Sequence, residues 1–303
     1  EDLGGCARLD RPGARALPAP RPAPRPPVAL RPRRLSVTRV EVWKRNPYGI
    51  FARSVLGLEA LPALDEDPAA AERGQLVHKV LERFAAAFPA RLPPRAEGEL
   101  RRILDQELAA AAARPGLALL WRPRLERIAA WYLEEERRRR AGIVKVLVET
   151  RGRLVIEGPA GPFTLTAVAD RLELEPDGRV AVVDYKTGTP PTNPQVESGH
   201  APQLPLEAAI LQTGGFEGLP ASEPARLEYW HLTGGAKAGA VKPVKRAAAE
   251  LAADAYDWLE RLVERFDDPE TAYLAWPDLD FPPRFDDYAL LARVPEWAPG
   301  EEE

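Results

Sequence analysis

The sequence contains no methionine and one cysteine, Cys6. A single thiol excludes an intrachain disulfide and a cysteine-held iron–sulfur cluster, and it suits a cytosolic setting. The missing methionine predicts that these 303 residues are cut from a longer polypeptide. No apolar run reaches the roughly eighteen residues of a membrane helix, so no membrane association is expected. The opening Glu1-Asp2-Leu3-Gly4-Gly5 lacks the basic and apolar regions of a signal peptide. The chain also lacks an excess of basic residues. Its formal charge is -4, so any nucleic-acid contact must come from local basic patches.

What is present is enough apolar sequence, 45%, to bury a real core in one large domain or two small ones. Residues 11–34 carry many Pro and Arg and no acid. Proline removes backbone donors, so residues 1–35 read as an extended, largely disordered linker: a tether, or a basic segment that touches nucleic acid. Residues 36–298 read as the folded domain and 299–303 as an acidic tail. Within the domain, 36–141 is helical. Thr38 and Glu41 have capping-box spacing, Asn46-Pro47 breaks the first helix, and helices follow near 69–88, 96–113 and 121–141. The core, 142–268, begins with strands at 145–157, 163–175 and 179–185, each rich in Val, Leu, Ile and Thr. A helix near 202–213, a strand near 226–232 and a helix near 244–267 complete it. This order predicts an α/β fold, a mixed central β-sheet flanked by helices. A further short helix is placed near Tyr288.

The most informative stretch runs from Ala169 to Gly188. Pro176-Asp177-Gly178 suits a three-residue hairpin loop, a type I turn followed by a left-handed glycine. Glu175 then faces Arg179, and counting outward sets Asp170 opposite Asp184. Lys186, two residues on, shares their face. A two-residue loop would instead set Asp170 against Tyr185. Opposed carboxylates repel unless a cation lies between them. Two acids and a lysine on one face suit hydrolysis of a phosphodiester around an oxygen-loving ion such as Mg2+. The plainer alternative is a surface hairpin with scattered charges.

Asp170-Arg171, followed by Val182-Val183-Asp184-Tyr185-Lys186-Thr187-Gly188, resembles the RecB-type branch of the PD-(D/E)xK nucleases. Gly74-Gln75-Leu76-Val77-His78 is similar to that branch's upstream helical motif, and Gln203-Leu204 to its downstream motif. More narrowly, the chain resembles the C-terminal nuclease domain of the alphaproteobacterial AddB family, through the Pro/Arg linker, the opening from Ser36 to Leu58 and the ending from Leu291 to Trp297. The resemblance implies a restriction-endonuclease-like core and a divalent-metal-dependent deoxyribonuclease of exonuclease type. It implies Mg2+ or Mn2+ held by His78, Asp170, Asp184 and the Tyr185 carbonyl, with Lys186 and Gln203 completing the catalytic set. It also implies an upstream helicase-like region, an AddA-like helicase–nuclease partner, single strands from unwound duplex ends as substrate, and work at the cytoplasmic nucleoid in double-strand-break repair. Three positions depart from relatives: Ala169 stands for the proline of the motif, Glu207 for a tyrosine after the glutamine, and Asn46 for a cluster cysteine. No iron–sulfur cluster is therefore expected.

Other readings stay open at individual residues. His78 on an amphipathic helix is a ligand or an ordinary helix residue, and Gln203 a phosphate or water contact or a polar helix start. Glu149 is an outer acid or a solvated edge charge. Arg171 is expected on the opposite face, as structural support. The run Arg137, Arg138, Arg139, Arg140, with Arg151 nearby, is a solvated face or a hold on the DNA backbone. A non-catalytic nuclease fold that docks DNA or a partner is the alternative to an enzyme.

Overall fold

The computed structural model describes residues 20–59, 69–110, 115–277, 279 and 286–298. The acidic tail and the first nineteen positions of the expected linker lie outside them. The chain forms two compact units, one of Pro32–Glu41 with Leu61–Asp268, the other of Glu1–Arg31, Val42–Ala60 and Pro269–Glu303.

The larger unit contains one six-stranded sheet in the order β1-β3-β4-β5-β6, with β2 pairing to β3. The strands are β1 (Arg34–Ser36), β2 (Lys145–Gly158), β3 (Gly161–Leu174), β4 (Val180–Lys186), β5 (Pro224–Leu232) and β6 (Gly239–Pro243). β1 and β4 lie along the same edge of β3, β1 in parallel and β4 antiparallel, while β2 covers the other edge. β4 pairs in parallel with β5, so the sheet is mixed. β4 is buried along almost its whole length, as the unbroken Val180–Val183 run requires of a central strand.

Helices α1 (Val37–Arg45), α2 (Pro47–Ile50), α3 (Ala69–Ala87), α4 (Ala96–Ala110) and α5 (Pro115–Arg139) precede β2. α1 starts two residues earlier than the Thr38 box implies, because Ser36 Oγ accepts the Arg39 N–H at 3.3 Å. The break at Asn46-Pro47 stands where expected. The apolar faces of α3, α4 and α5 meet Val183, Tyr185 and Trp230 of the sheet in one core. α6 (Asn193–Glu197), α7 (Gln203–Gln212) and α8 (Ala248–Asp267) follow. Among the described residues no helix is long and apolar enough to cross a membrane.

Two sequence expectations change. β1 and β6 are additional strands, and β1 falls inside the segment expected to be a disordered linker. Residues 20–35 are held in place. Pro24 O accepts the Tyr273 N–H at 2.9 Å. Arg31 is 4% exposed and donates to Pro26 O at 3.0 Å and Pro269 O at 2.9 Å. Proline lacks a donor but keeps its carbonyl, and here an arginine and a neighbouring backbone N–H supply the missing donors.

In the smaller unit, α2 continues into a wider turn, Phe51–Val55, and packs with Ala275, Tyr288, Ala292 and Val294. Its last helix is α9 (Val294–Trp297), a few residues beyond the one expected near Tyr288, which lies in a turn.

Candidate metal centre

The β3–β4 hairpin sets the geometry of the site. Glu175 N–H donates to Arg179 O at 2.9 Å and Gly178 N–H to Glu175 O at 3.0 Å. Gly178 takes the left-handed φ of 84° that the three-residue loop requires of its last position. The pairs Leu174↔Val180 to Arg171↔Val183 follow, and one further step brings Asp170 level with Asp184. Asp170 Oδ2 accepts the Tyr185 N–H at 2.7 Å, which ties the two strand ends together where the ladder opens.

Asp184 is drawn inward by the apolar strand before it and is 2% exposed. Its Oδ1 accepts Lys186 Nζ at 3.0 Å and Gln203 Nε2 at 2.6 Å. Lys186 also donates to Gln203 Oε1 at 3.1 Å. Gln203 opens α7, so the helix start delivers one amide that aligns both acid and lysine. Burial, with the Asp170 charge adding to it and Lys186 opposing it, pushes Asp184 up to about 6. Burial opposes the Lys186 charge, but Asp184 outweighs it and holds the ammonium above its usual range.

His78 reaches the same spot from α3, whose Val77, Val80, Leu81 and Phe84 anchor the helix in the core. Its Nε2 lies 3.0 Å from Tyr185 O and its Nδ1 3.5 Å from Asp170 Oδ1. Burial lowers the imidazole, yet the hydrogen bond and charge of Asp170 raise it overall. Gly74, one turn earlier, lets the helix pass close to the end of β4: a Cβ there would sit 3.1 Å from Thr187 Oγ1.

Glu149 joins this group, although the hairpin count from β4 does not reach it. It falls level with Asp170 between the pairs Val148↔Arg171 and Thr150↔Ala169. Ligand atoms of His78, Glu149 and Asp170 lie within 4.8 Å of one another. Its backbone is left-handed, φ 46°, which costs a non-glycine residue about 1–3 kcal/mol. Burial, then Asp170 and Glu82, raise its carboxyl. The signal was in the sequence: Gly158 and Gly161 flank the other hairpin loop, and counting back from them meets Glu149 opposite Asp170.

Glu207 is 1% exposed and accepts Gln203 Nε2 at 3.2 Å, and its Oε2 has no hydrogen-bond partner among the described residues. Burial and the nearby acids push its carboxyl well above its usual range, which favours the neutral form.

On the opposite face, Arg171 is fully buried. It pairs with Glu136 and, at 2.8 Å, with Glu173, and its guanidinium lies 4.8 Å from the Trp230 ring centroid. It also lies 3.5 Å from the Tyr185 hydroxyl, so it steadies the residue that follows Asp184. In the basic run at the end of α5, Arg138, Arg139 and Arg140 pair with carboxylates of the chain, and Arg137 is exposed. Arg139 is spent on Glu135, Glu173 and Glu228, and Arg140 on Glu136 and Pro89 O. Arg138 pairs with Glu135. Arg137 lies in a groove with Glu97, Glu126 and Glu134. Internal carboxylates claim these guanidinium groups first. Arg151 stands apart from the run, exposed on β2.

The site thus gathers an imidazole, a carbonyl and up to three carboxylates, with a lysine at one side. The 3.0 Å between His78 Nε2 and Tyr185 O matches the separation of neighbouring ligands on a six-coordinate ion with bonds near 2.1 Å, about 3 Å. Asp184 Oδ2 is buried without a geometrically satisfied hydrogen bond, although Lys186 Nζ lies 2.8 Å away. The donor set therefore fits a small divalent cation.

Proteins of Rickettsia bellii (strain RML369-C) and of Rickettsia conorii (strain ATCC VR-613 / Malish 7), the latter named "Uncharacterized protein RC0550", are each 29% identical over 61% of the chain. The chain spans 22% and 23% of their lengths. A solved structure titled "Crystal structure of SSO0001" aligns over 75% of this chain and 76% of its own, with 11% identity and a TM-score of 0.31. A profile of the PD-(D/E)XK nuclease superfamily matches residues 34–279, which include every residue of the site. The chain belongs to the PD-(D/E)XK nuclease superfamily.

Proposed function

We propose that this domain is a divalent-metal-dependent deoxyribonuclease that hydrolyses phosphodiester bonds in single DNA strands, with Asp170, Asp184, Lys186 and Gln203 as its catalytic set. The observation that carries the reading is the convergence of His78, Asp170, the Tyr185 carbonyl, Asp184 and Lys186 on one end of the β3–β4 hairpin.

His78, Asp170, Asp184 and the Tyr185 carbonyl would hold Mg2+ or Mn2+, with Glu149 within reach of the same position. When bound, such an ion polarises a phosphoryl oxygen and makes water acidic enough to attack near neutral pH. Lys186 stays protonated because Asp184 stabilises its charge, so it serves as a cation beside the charge that builds on phosphate in the transition state. Gln203 fixes the ammonium against Asp184 and limits both to one arrangement. The neutral carboxyl of Glu207 holds Gln203 from behind without adding another negative charge.

The same proposal extends to the biology. We read the domain as the nuclease of an AddB-type subunit, acting with an AddA-like helicase–nuclease partner and an upstream helicase-like region in double-strand-break end resection at the nucleoid. The Rickettsia relatives carry their matching regions within much longer polypeptides, which supports a nuclease module inside a larger protein.

The test is cleavage of an end-labelled single strand by the 303-residue chain with Mg2+ or Mn2+, repeated with Asp184→Ala. The reading expects metal-dependent cutting that falls to background in the variant. Cutting at an unchanged rate in the variant would remove Asp184 from the chemistry and overturn the reading.

A further inference from the structure

A groove of about 800 Å3 runs over β1, β2 and β3 and includes Gln203 in its lining. It therefore opens onto the amide that contacts Asp184 and Lys186. Strand register explains its lining. Arg34 pairs with Thr164 across β1–β3, and Arg153 with Thr166 and Arg151 with Val168 across β2–β3. Paired residues share a face, and Thr164, Thr166, Val168 and Asp170 follow at alternate positions on that face. The row from Thr164 to Asp170 spans about 20 Å at about 3.3 Å per residue, and it ends at the metal centre.

Three arginines line this groove. Arg34, Arg151 and Arg153 are exposed. Most other arginines at the core of this chain are tied to carboxylates, but these three guanidinium groups have no ion-pair partner among the described residues. In a chain of net charge -4, three such cations against one acid, Glu217, on a polar groove mark an anion track. The lining contains no aromatic side chain, so bases have no platform to stack on. Recognition must then fall on phosphates, from guanidinium groups and from hydroxyls such as Thr164, independently of base identity. The volume is that of a site for a drug-sized ligand. It takes a few nucleotides of one strand and not a duplex.

We propose that this groove is the track along which a single DNA strand is fed to the metal centre, held by Arg34, Arg151 and Arg153 through its phosphates. The assignment rests on the nuclease reading for its biological meaning, but it makes its own prediction about binding. Each phosphate neutralised on a single strand contributes about -0.7 to the slope of log K against log salt. Converting all three arginines to glutamine should lessen that slope by about 2. Replacing them by lysine keeps the charge and should keep the slope.

The experiment titrates the 303-residue chain into labelled oligo-dT in EDTA, where no cutting occurs, across a range of salt. Arg34→Gln, Arg151→Gln and Arg153→Gln are combined, with the triple lysine variant as the charge control and Thr164→Glu as a second probe of the groove floor. The proposal expects the glutamine variant's slope to lessen by about 2, the lysine variant to retain the parental slope, and Thr164→Glu to weaken binding at least about tenfold at low salt. A glutamine variant with the parental slope overturns the groove, and if the parent still cuts DNA, the nuclease reading stands without it. A changed slope in a parent that does not cut upholds the groove and sinks the nuclease reading. Tighter, groove-dependent binding of duplex or of oligo-rU overturns the assignment to single-stranded DNA.

Discussion

Replacing Asp184 by asparagine should make the metal-free chain more stable while abolishing its response to metal. Asp184 titrates at about 6, against 3.8 for the free side chain. A difference of about 2 units corresponds to roughly 3 kcal/mol in favour of the neutral form. The sign follows from proton uptake. Between 3.8 and about 6 the folded chain keeps a proton that the unfolded chain has lost, so stability falls as pH rises through that window. The cost is absent below it and complete above it. Asparagine keeps the size and an acceptor oxygen for Lys186 and Gln203 but carries no charge. At pH 8 in EDTA, Asp184→Asn should therefore gain roughly 3 kcal/mol, seen as a rise in Tm of roughly 6–12 °C. At pH 3.5 the two proteins should melt together. Saturating Mn2+ reverses the order. At one hundred times its Kd, the ion should stabilise the parent by about 2.7 kcal/mol and leave the variant unmoved. Thermal unfolding followed by circular dichroism at several pH values, with and without Mn2+, reads all of this. A variant less stable than the parent at pH 8 in EDTA would show that the charge of Asp184 is not a burden to the metal-free fold, and the reasoning would fail.

Three further outcomes follow from the same structure. Glu207→Gln removes a buried carboxyl whose folded pKa is raised well above the usual range. The parent should thus lose stability as pH rises above the ordinary carboxylate range, and the variant, which keeps only the Asp184 contribution, should lose less; matching pH–Tm curves would contradict this. Arg171→Met takes a buried cation from Glu136 and Glu173, leaving them Arg140 and Arg139, and should cost up to about 3–5 kcal/mol in urea unfolding. Arg139→Ala should cost a comparable amount, since its side chain serves Glu173 and Glu228 and packs over Trp230. It should leave the salt dependence of single-strand binding unchanged; a lessened slope would return the α5 run to the DNA surface.

The site was more legible than its surroundings because one turn set its register. Pro176-Asp177-Gly178 left two loop lengths open, and only the left-handed glycine of the longer one puts Asp170 level with Asp184. The helices were readable from their apolar spacing, and the break at Asn46-Pro47 from proline geometry. What escaped was short or depended on distant partners. β1 has three residues and β6 five, too few for alternation to register. β1 also sits among prolines, and its strand character comes from β3, far along the chain. Arg31 and Tyr273 order the proline segment through hydrogen bonds that no local pattern announces. The Arg137–Arg140 run looked like a basic surface because sequence shows charge but not its partners. Glu173 and Glu228 lie on two strands distant in sequence, and only the fold brings them to Arg139. Glu149 was in reach of a count from the β2–β3 loop, but its left-handed backbone was not.

The most direct test of the account is the position of a divalent ion. Crystals soaked in Mn2+ and measured for anomalous scattering should show a peak about 2.1–2.3 Å from oxygens of Asp170 and Asp184, with the His78 ring and the Tyr185 carbonyl beside it. Strong peaks elsewhere with none between these two carboxylates, at concentrations that support cutting, would contradict it.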